Sequence, residues 1–362
     1  MPNAGRPALR LERMIRAARD RSPPEPLDSP PVNWKLFWIG LAIGAVFLVA
    51  TAHTTDVREQ ARLLREIPLS KLGWFAAGCG FHLAHLAGRT LRWRLLFPAP
   101  RPAPRRLFSA LSIGYLYNNM VPRSGELVRM LVVGKWVPAL GFGGIAVTIA
   151  VERLLDVLMV LALAVLIFAG SHFAAHDVTD SPRSIVWLVA IAVGIAALAA
   201  AAVLFQPRVE RIADLVIARS PARIRVPLRK LANGVLAGLA GLRALGGRTG
   251  LGVLALCALD FVLVNTSYRL LSGTFAPHLL SITDTAFVMV GSGLGAMLPS
   301  GPGNVGSMIY FMSVAAGHTP MAPAAAAYAF LIFLSYFLVR STSGLVCLAL
   351  ETRRERSAAP RR

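Results

Sequence analysis

From residue 285 to residue 339 the chain runs 55 residues without a single Asp, Glu, Lys or Arg, broken only by Pro/Gly clusters at 299–303 and 318–323. A stretch that long leaves few folds open. In a medium without water each backbone N–H and C=O needs an internal partner, so the stretch is expected to be helical inside a bilayer. Its breaks must lie where protein or a water-filled cavity receives bare backbone.

The rest of the chain agrees. Of 362 residues, 55% are hydrophobic and 15% charged, against roughly 25% charged in soluble domains, and the chain reads as an all-α polytopic membrane protein. The net charge of +20 does not describe a nucleic-acid surface, because the arginines gather at the ends of apolar runs, as the positive-inside rule requires. Cys79, Cys257 and Cys347 lie inside apolar runs and read as core residues rather than metal ligands or a disulfide framework. No cofactor or metal is expected. Residues 1–35, basic and proline-rich, read as a cytosolic tail without a cleavable signal, and residues 351–362 as a second basic tail.

Residues 36–350 then form one membrane domain. Apolar runs at 36–55, 72–88, 145–171, 184–206 and 249–271, with the run leading to Arg340, predict six spanning helices. Residues 89–106 hold six arginines and no acid, and residues 208–248 hold nine basic residues against two acids, so both are expected in the cytoplasm with the two termini. Part of the basic loop at 207–248, from about 225 to 245, reads as an amphipathic helix on the inner leaflet. The loop at 172–183 is expected outside.

Counting crossings between these loops makes residues 107–142 begin and end inside, and residues 285–317 begin and end outside. Each has a Pro/Gly break at its centre, so each is a broken hairpin, either re-entrant or paired full spans, and the length favours half-helices. Span, hairpin and span thus occur twice in opposite orientation, as in inverted-repeat transporters whose substrate meets broken helices near the midplane.

The charges inside these segments are the candidate site, because intramembrane charge is costly and functional by default. Asn118, Asn119, Pro122, Arg123, Gly125, Glu126 and Arg129 surround the first break. Glu126 falls in the first turn of the second half-helix, where it offsets the dipole. Arg123 and Arg129 suit a lipid phosphate, or Glu126 and Arg129 pair with each other at helical spacing. Glu152 and Asp156 share a helix face with Arg153 beside them, and either receive a cation or proton or form a closed ion network with the hairpin arginines. His82, His85, Arg89 and Arg92 form one stripe toward the cytoplasmic end of the second helix, a phosphate path or merely snorkelling cations. Asp260 and Arg340 are expected to need partners and to find each other. Pro299, Gly301, Gly303 and Gly306 leave backbone amides free at the second break, without the lysine of a nucleotide loop.

These residues resemble the flippase-like membrane family named for the transmembrane region of lysylphosphatidylglycerol synthases. The likeness lies in Asn118 or Asn119, the Pro-x-x-Gly-Glu-x-x-Arg of residues 122–129, Glu152-Arg153-x-x-Asp156, the late Pro/Gly turn at 299–306, and Leu91-Arg92-Trp93-Arg94-Leu95-Leu96. It implies a multi-pass protein of a bacterial-type inner (plasma) membrane that moves a phospholipid or lipid-linked head group, in cell-envelope assembly. The synthases' aminoacyl transferase domain is missing from this sequence, so no enzymatic activity is expected. The family's usual glutamate after the late turn is replaced by Ser307-Met308-Ile309, which removes any role for an acid there. The alternative is a non-transporting partner of a lipid-modifying enzyme or glycosyltransferase, docked through the 207–248 loop.

Overall fold

The computed structural model describes residues 34–97, 101–121, 124–173, 206–221, 247–275, 278–298 and 300–358, with the isolated residues 225 and 229. Among them every regular element is helical: α1 (Trp34–Thr54), α2 (Val57–Arg65), α3 (Leu72–Leu95), α4 (Pro104–Met120), α5 (Ser124–Gly134), α6 (Gly141–Phe173), α7 (Gln206–Arg219), α8 (Gly247–Ser272), α9 (Ile282–Met297), α10 (Val305–Ala316) and α11 (Ala325–Ala358). The expected run at 184–206 and the amphipathic helix near 225–245 fall almost wholly outside the described residues, so five of the six expected spanning helices are described.

Among the described residues three helices, α1, α8 and α11, are long and apolar enough to cross a membrane by length and composition alone. At 24 and 33 residues, α3 and α6 reach about 36 and 50 Å, beyond the ~30 Å hydrocarbon thickness. Their charges face inward instead, as described below. Large apolar side chains such as Val46, Leu251, Leu254 and Val346 stand outward, more than half exposed, as a lipid-facing surface requires.

Both expected breaks are helix breaks. The first hairpin is α4–α5 and the second α9–α10, and their second arms have 11 and 12 residues. Arms of about 17–18 Å fall short of a crossing, so half-helices rather than full spans describe the hairpins. One boundary differs from the expectation. The second arm of the first hairpin stops at Gly134 rather than running to the expected end of the hairpin at 142, and a 3₁₀ turn at Pro138–Leu140 separates it from α6. Pro138 lacks the N–H that a continued helix needs.

Each half has its own core. Trp93, Leu107, Leu111, Val133 and Ile145 join α3, α4, α5 and α6. Tyr268, Val288, Met312, Tyr328 and Ile332 join α8, α9, α10 and α11. The halves then exchange contacts reciprocally. The leading helices α3 and α8 pack along each other, α4 lies on α11, and α9 lies on α6. Each hairpin's first arm thus covers the last helix of the opposite half, the pairing that a two-fold-related repeat produces.

Candidate functional site

The two hairpin tips meet. The turn Pro302–Asn304 packs against α4, and a methyl group on Gly303 would stand 3.4 Å from Asn119 Oδ1. Gly301 and Gly303 have φ of +82° and +63°, a region that side chains disfavour, so these glycines let the second tip curl up to the first. Asn119 donates through Nδ2 to Ser341 Oγ at 2.9 Å, which fastens the first tip to α11. Asn118 accepts from Gly125 N at 2.8 Å, and so satisfies one of the orphan amides that begin α5. Pro122, Arg123 and Pro299 lie outside the described residues.

Close backbone contact closes each hairpin. A Cβ on Gly125 would stand 2.6 Å from the Asn118 side chain and run into the carbonyl of Gly114. Gly306 approaches Gly44 of α1 equally tightly, the small-residue packing typical of membrane helices. Ser307 sits fully buried between the arms of the second hairpin. Its hydroxyl donates to Gly295 O at 2.6 Å and contacts Ser300 Oγ. A structural tie therefore stands just after the second break.

The intramembrane charges assemble into one network. Glu152, fully buried, takes Arg89 Nε on Oε1 at 2.7 Å and Arg129 Nη2 on Oε2. Asp156 takes Arg92 on one oxygen and Arg89 on the other, with Arg153 Nη1 at 3.6 Å. Arg153 also donates to Glu126, and Arg92 lies 3.3 Å from Asp260. Every guanidinium here meets a carboxylate, which is how buried charge is tolerated. Arg129 additionally lies over the Trp93 ring at 4.0 Å, and the indole is fixed by its own donation to Thr148 Oγ at 3.0 Å.

Several expectations meet this arrangement directly. Glu126 and Arg129 do not pair with each other: Glu126 reaches Arg153 and Arg129 reaches Glu152, two successive residues of α6 that each take one of the pair. The Glu152/Asp156 pair is saturated by guanidinium groups, so of its two readings the geometry favours the closed network over an open cation seat. Arg89 and Arg92, read as a phosphate path, already hold carboxylates. Asp260 does not pair with Arg340. It lies between His85 Nδ1 at 3.4 Å and Arg92, while Arg340 stacks on the Tyr115 and Tyr336 rings.

Beside this network lies a cavity of about 670 Å³, within the usual range for ligand sites. Arg89, Arg92, Asn118, Asn119, Glu126, Arg153, Asp156 and Gly303 line it. Arg129, Glu152, Gly125, Gly301 and Gly306 do not line it; they build the frame. Apolar side chains line it as well, from Val157, Val160 and Leu163 of α6 to Phe261, Met289 and Met308. Charged and polar groups thus share the lining with hydrocarbon, a composition that suits an amphiphile. Tyr115, Tyr336, Asn304 and Arg340 also line it and were not among the expected site residues. Arg340 had a visible signal, a lone cation closing the uncharged 55-residue stretch. The tyrosines had none, because an aromatic on an apolar helix reads as core.

Comparison with curated proteins and with solved structures finds no match. The family described as lysylphosphatidylglycerol synthase TM region matches residues 37–344, which takes in both hairpins, the network and the cavity. The chain belongs to the family of the lysylphosphatidylglycerol synthase transmembrane region, a membrane protein family linked to lipid modification.

Proposed function

We propose that this protein is a flippase-like carrier, not an enzyme, which moves the phosphate-bearing head group of a membrane lipid across a bacterial-type inner membrane. The observation that carries the reading is the cavity at the meeting hairpin tips, lined both by charged side chains and by hydrocarbon. A head group would lose its water among Arg153, Asp156, Asn118 and Asn304, while the acyl chains stay along Val157, Val160 and Met289. The half-helices supply backbone that can rearrange at membrane depth, since their breaks are shielded by protein. The ion network holds α3, α5 and α6 together by pairs that can exchange partners, and so acts as the gate on one side. Both termini and the basic loop at 207–248 face the cytoplasm in this reading.

The test is lipid movement in proteoliposomes. Ala296 lines the cavity and is exposed within it, so Ala296→Trp fills the space without overpacking a core. Wild type is expected to move a head-group-labelled phospholipid, and Ala296→Trp to slow it by about tenfold or more. Equal rates for the two would remove the cavity from the path, and movement by neither would leave the reading without support.

A further inference from the structure

The fixed charges around the cavity do not cancel. Arg89, Arg92, Arg129 and Arg153 answer Glu126, Glu152, Asp156 and Asp260, four cations to four anions. With the histidines counted neutral, a fifth cation remains. Among the described residues Arg340 has no carboxylate within ion-pair distance, although it lines the cavity.

What holds Arg340 instead is aromatic. Its guanidinium lies 4.3 Å from the Tyr115 ring centre and 4.6 Å from that of Tyr336. Ring faces attract a cation through their quadrupole while leaving its planar N–H fork available for an oxyanion. Beside it a recess of about 10 Å³ touches His82 and His85, room for about one water. Tyr115 Oη and His82 Nε2 are buried there without a hydrogen-bond partner. A half-buried cation on two rings, beside unanswered polar atoms, is a seat prepared for one negative charge.

The carboxylates, by contrast, all have a guanidinium within ion-pair distance. Both oxygens of Glu152 and both of Asp156 hold guanidinium groups. Asp260 makes no hydrogen bond among the described residues, and its charge is matched at ion-pair distance by Arg92, with His85 on its other side. Glu126 keeps one oxygen unpartnered, but its charge is matched by Arg153. An incoming ammonium would have to displace an arginine from one of them.

The geometry points to a substrate class: lipids whose head group carries one negative charge and no ammonium, seated by their phosphodiester on Arg340. This inference rests on the lipid-carrier reading and adds a sign to it. Zwitterionic and cationic head groups are selected against, including a head group extended by lysine.

The experiment compares three labelled lipids in otherwise identical proteoliposomes: phosphatidylglycerol, phosphatidylethanolamine and lysylphosphatidylglycerol. Wild type, Arg340→Gln and Arg340→Lys are reconstituted, with helix content checked by circular dichroism. In parallel, lipid retained on the purified protein is measured by native mass spectrometry. Wild type is expected to move and retain phosphatidylglycerol about tenfold better than the lysyl form, with the zwitterion between them. Arg340→Gln should lose that advantage, and Arg340→Lys should keep the ranking at a lower rate, since lysine retains the charge without the planar fork. Equal or better handling of the lysyl lipid by wild type, or an unchanged ranking in Arg340→Gln, overturns the inference. If nothing moves but wild type alone retains phosphatidylglycerol preferentially, the carrier reading fails while the charge selection at Arg340 stands. If nothing moves and nothing is preferentially retained, both fail.

Discussion

Glu152→Gln is expected to destabilise the protein by about 3–5 kcal/mol, the usual cost of removing one partner from a buried ion pair. Glu152 is fully inaccessible, and it is the carboxylate on which Arg89 of α3 and Arg129 of α5 converge. Arg89 keeps Asp156 as a second partner. Among the described residues Arg129 keeps only the Trp93 ring, a cation–π contact of about 2 kcal/mol when desolvated. The uncompensated charge therefore falls on Arg129. Removing that charge as well should recover part of the loss: Arg129→Met with Glu152→Gln is expected to cost less than the sum of the single changes by about 1–3 kcal/mol. Denaturant titration of the detergent-solubilised protein, followed by tryptophan fluorescence, reads both effects. A Glu152→Gln variant within ~0.5 kcal/mol of wild type would mean that the network does not hold the first half together.

Gly125→Val is expected to cost about 3 kcal/mol or more, at the upper end for overpacked sites. At this position two backbones cross, with Gly114 of α4 on one side and Gly125 of α5 on the other. A methyl group already collides with the carbonyl of Gly114 and the side chain of Asn118, and neither yields easily. Asn118 also caps α5 by accepting from Gly125 N, so the same change dislodges the cap. Gly134→Ala is the control on the same helix, where an added Cβ would meet only Ile145 Cδ1 at an ordinary 3.9 Å. Limited proteolysis near the break should accelerate in Gly125→Val and stay at the wild-type rate in Gly134→Ala. Equal protection in all three proteins would mean that the hairpin does not depend on the crossing.

Fold class and hairpin positions were legible in the sequence because the bilayer allows so few solutions. The long apolar runs could only be helices, the Pro/Gly breaks could only fall where protein shields them, and counting charged loops fixed how often the chain must turn back. A closed network of Glu152 and Asp156 with the hairpin arginines was one of two legible readings, and Arg129 joins it. That Arg89 and Arg92 complete it was not legible, since their stripe read as a phosphate path or as snorkelling cations. Which partner each charge would take was not legible either. Glu126 and Arg129 are three apart on one helix and pair readily on paper. Yet α6 crosses α5 so that Arg153 faces one and Glu152 the other, and such a crossing leaves no trace in the order of residues. Asp260 and Arg340 illustrate the same limit. Each needed a partner, but α8 packs on α3, which presents His85 and Arg92 to Asp260 and leaves Arg340 to the tyrosines. The cavity itself was invisible, because its apolar wall has the composition of any membrane helix.

The most direct measurement of the central claim, that the cavity at the hairpin tips takes a lipid head group, is photo-crosslinking in native-like membranes. A phospholipid with a photoreactive group beside its phosphate would be activated, and the labelled residues identified by mass spectrometry. The account predicts adducts on the cavity wall, at Tyr115, Met289 and Asn304, which disappear when Ala296→Trp fills the space. Adducts confined to outward positions such as Leu251 and Leu254, and unchanged in Ala296→Trp, would show that lipid meets only the outer surface and would contradict it.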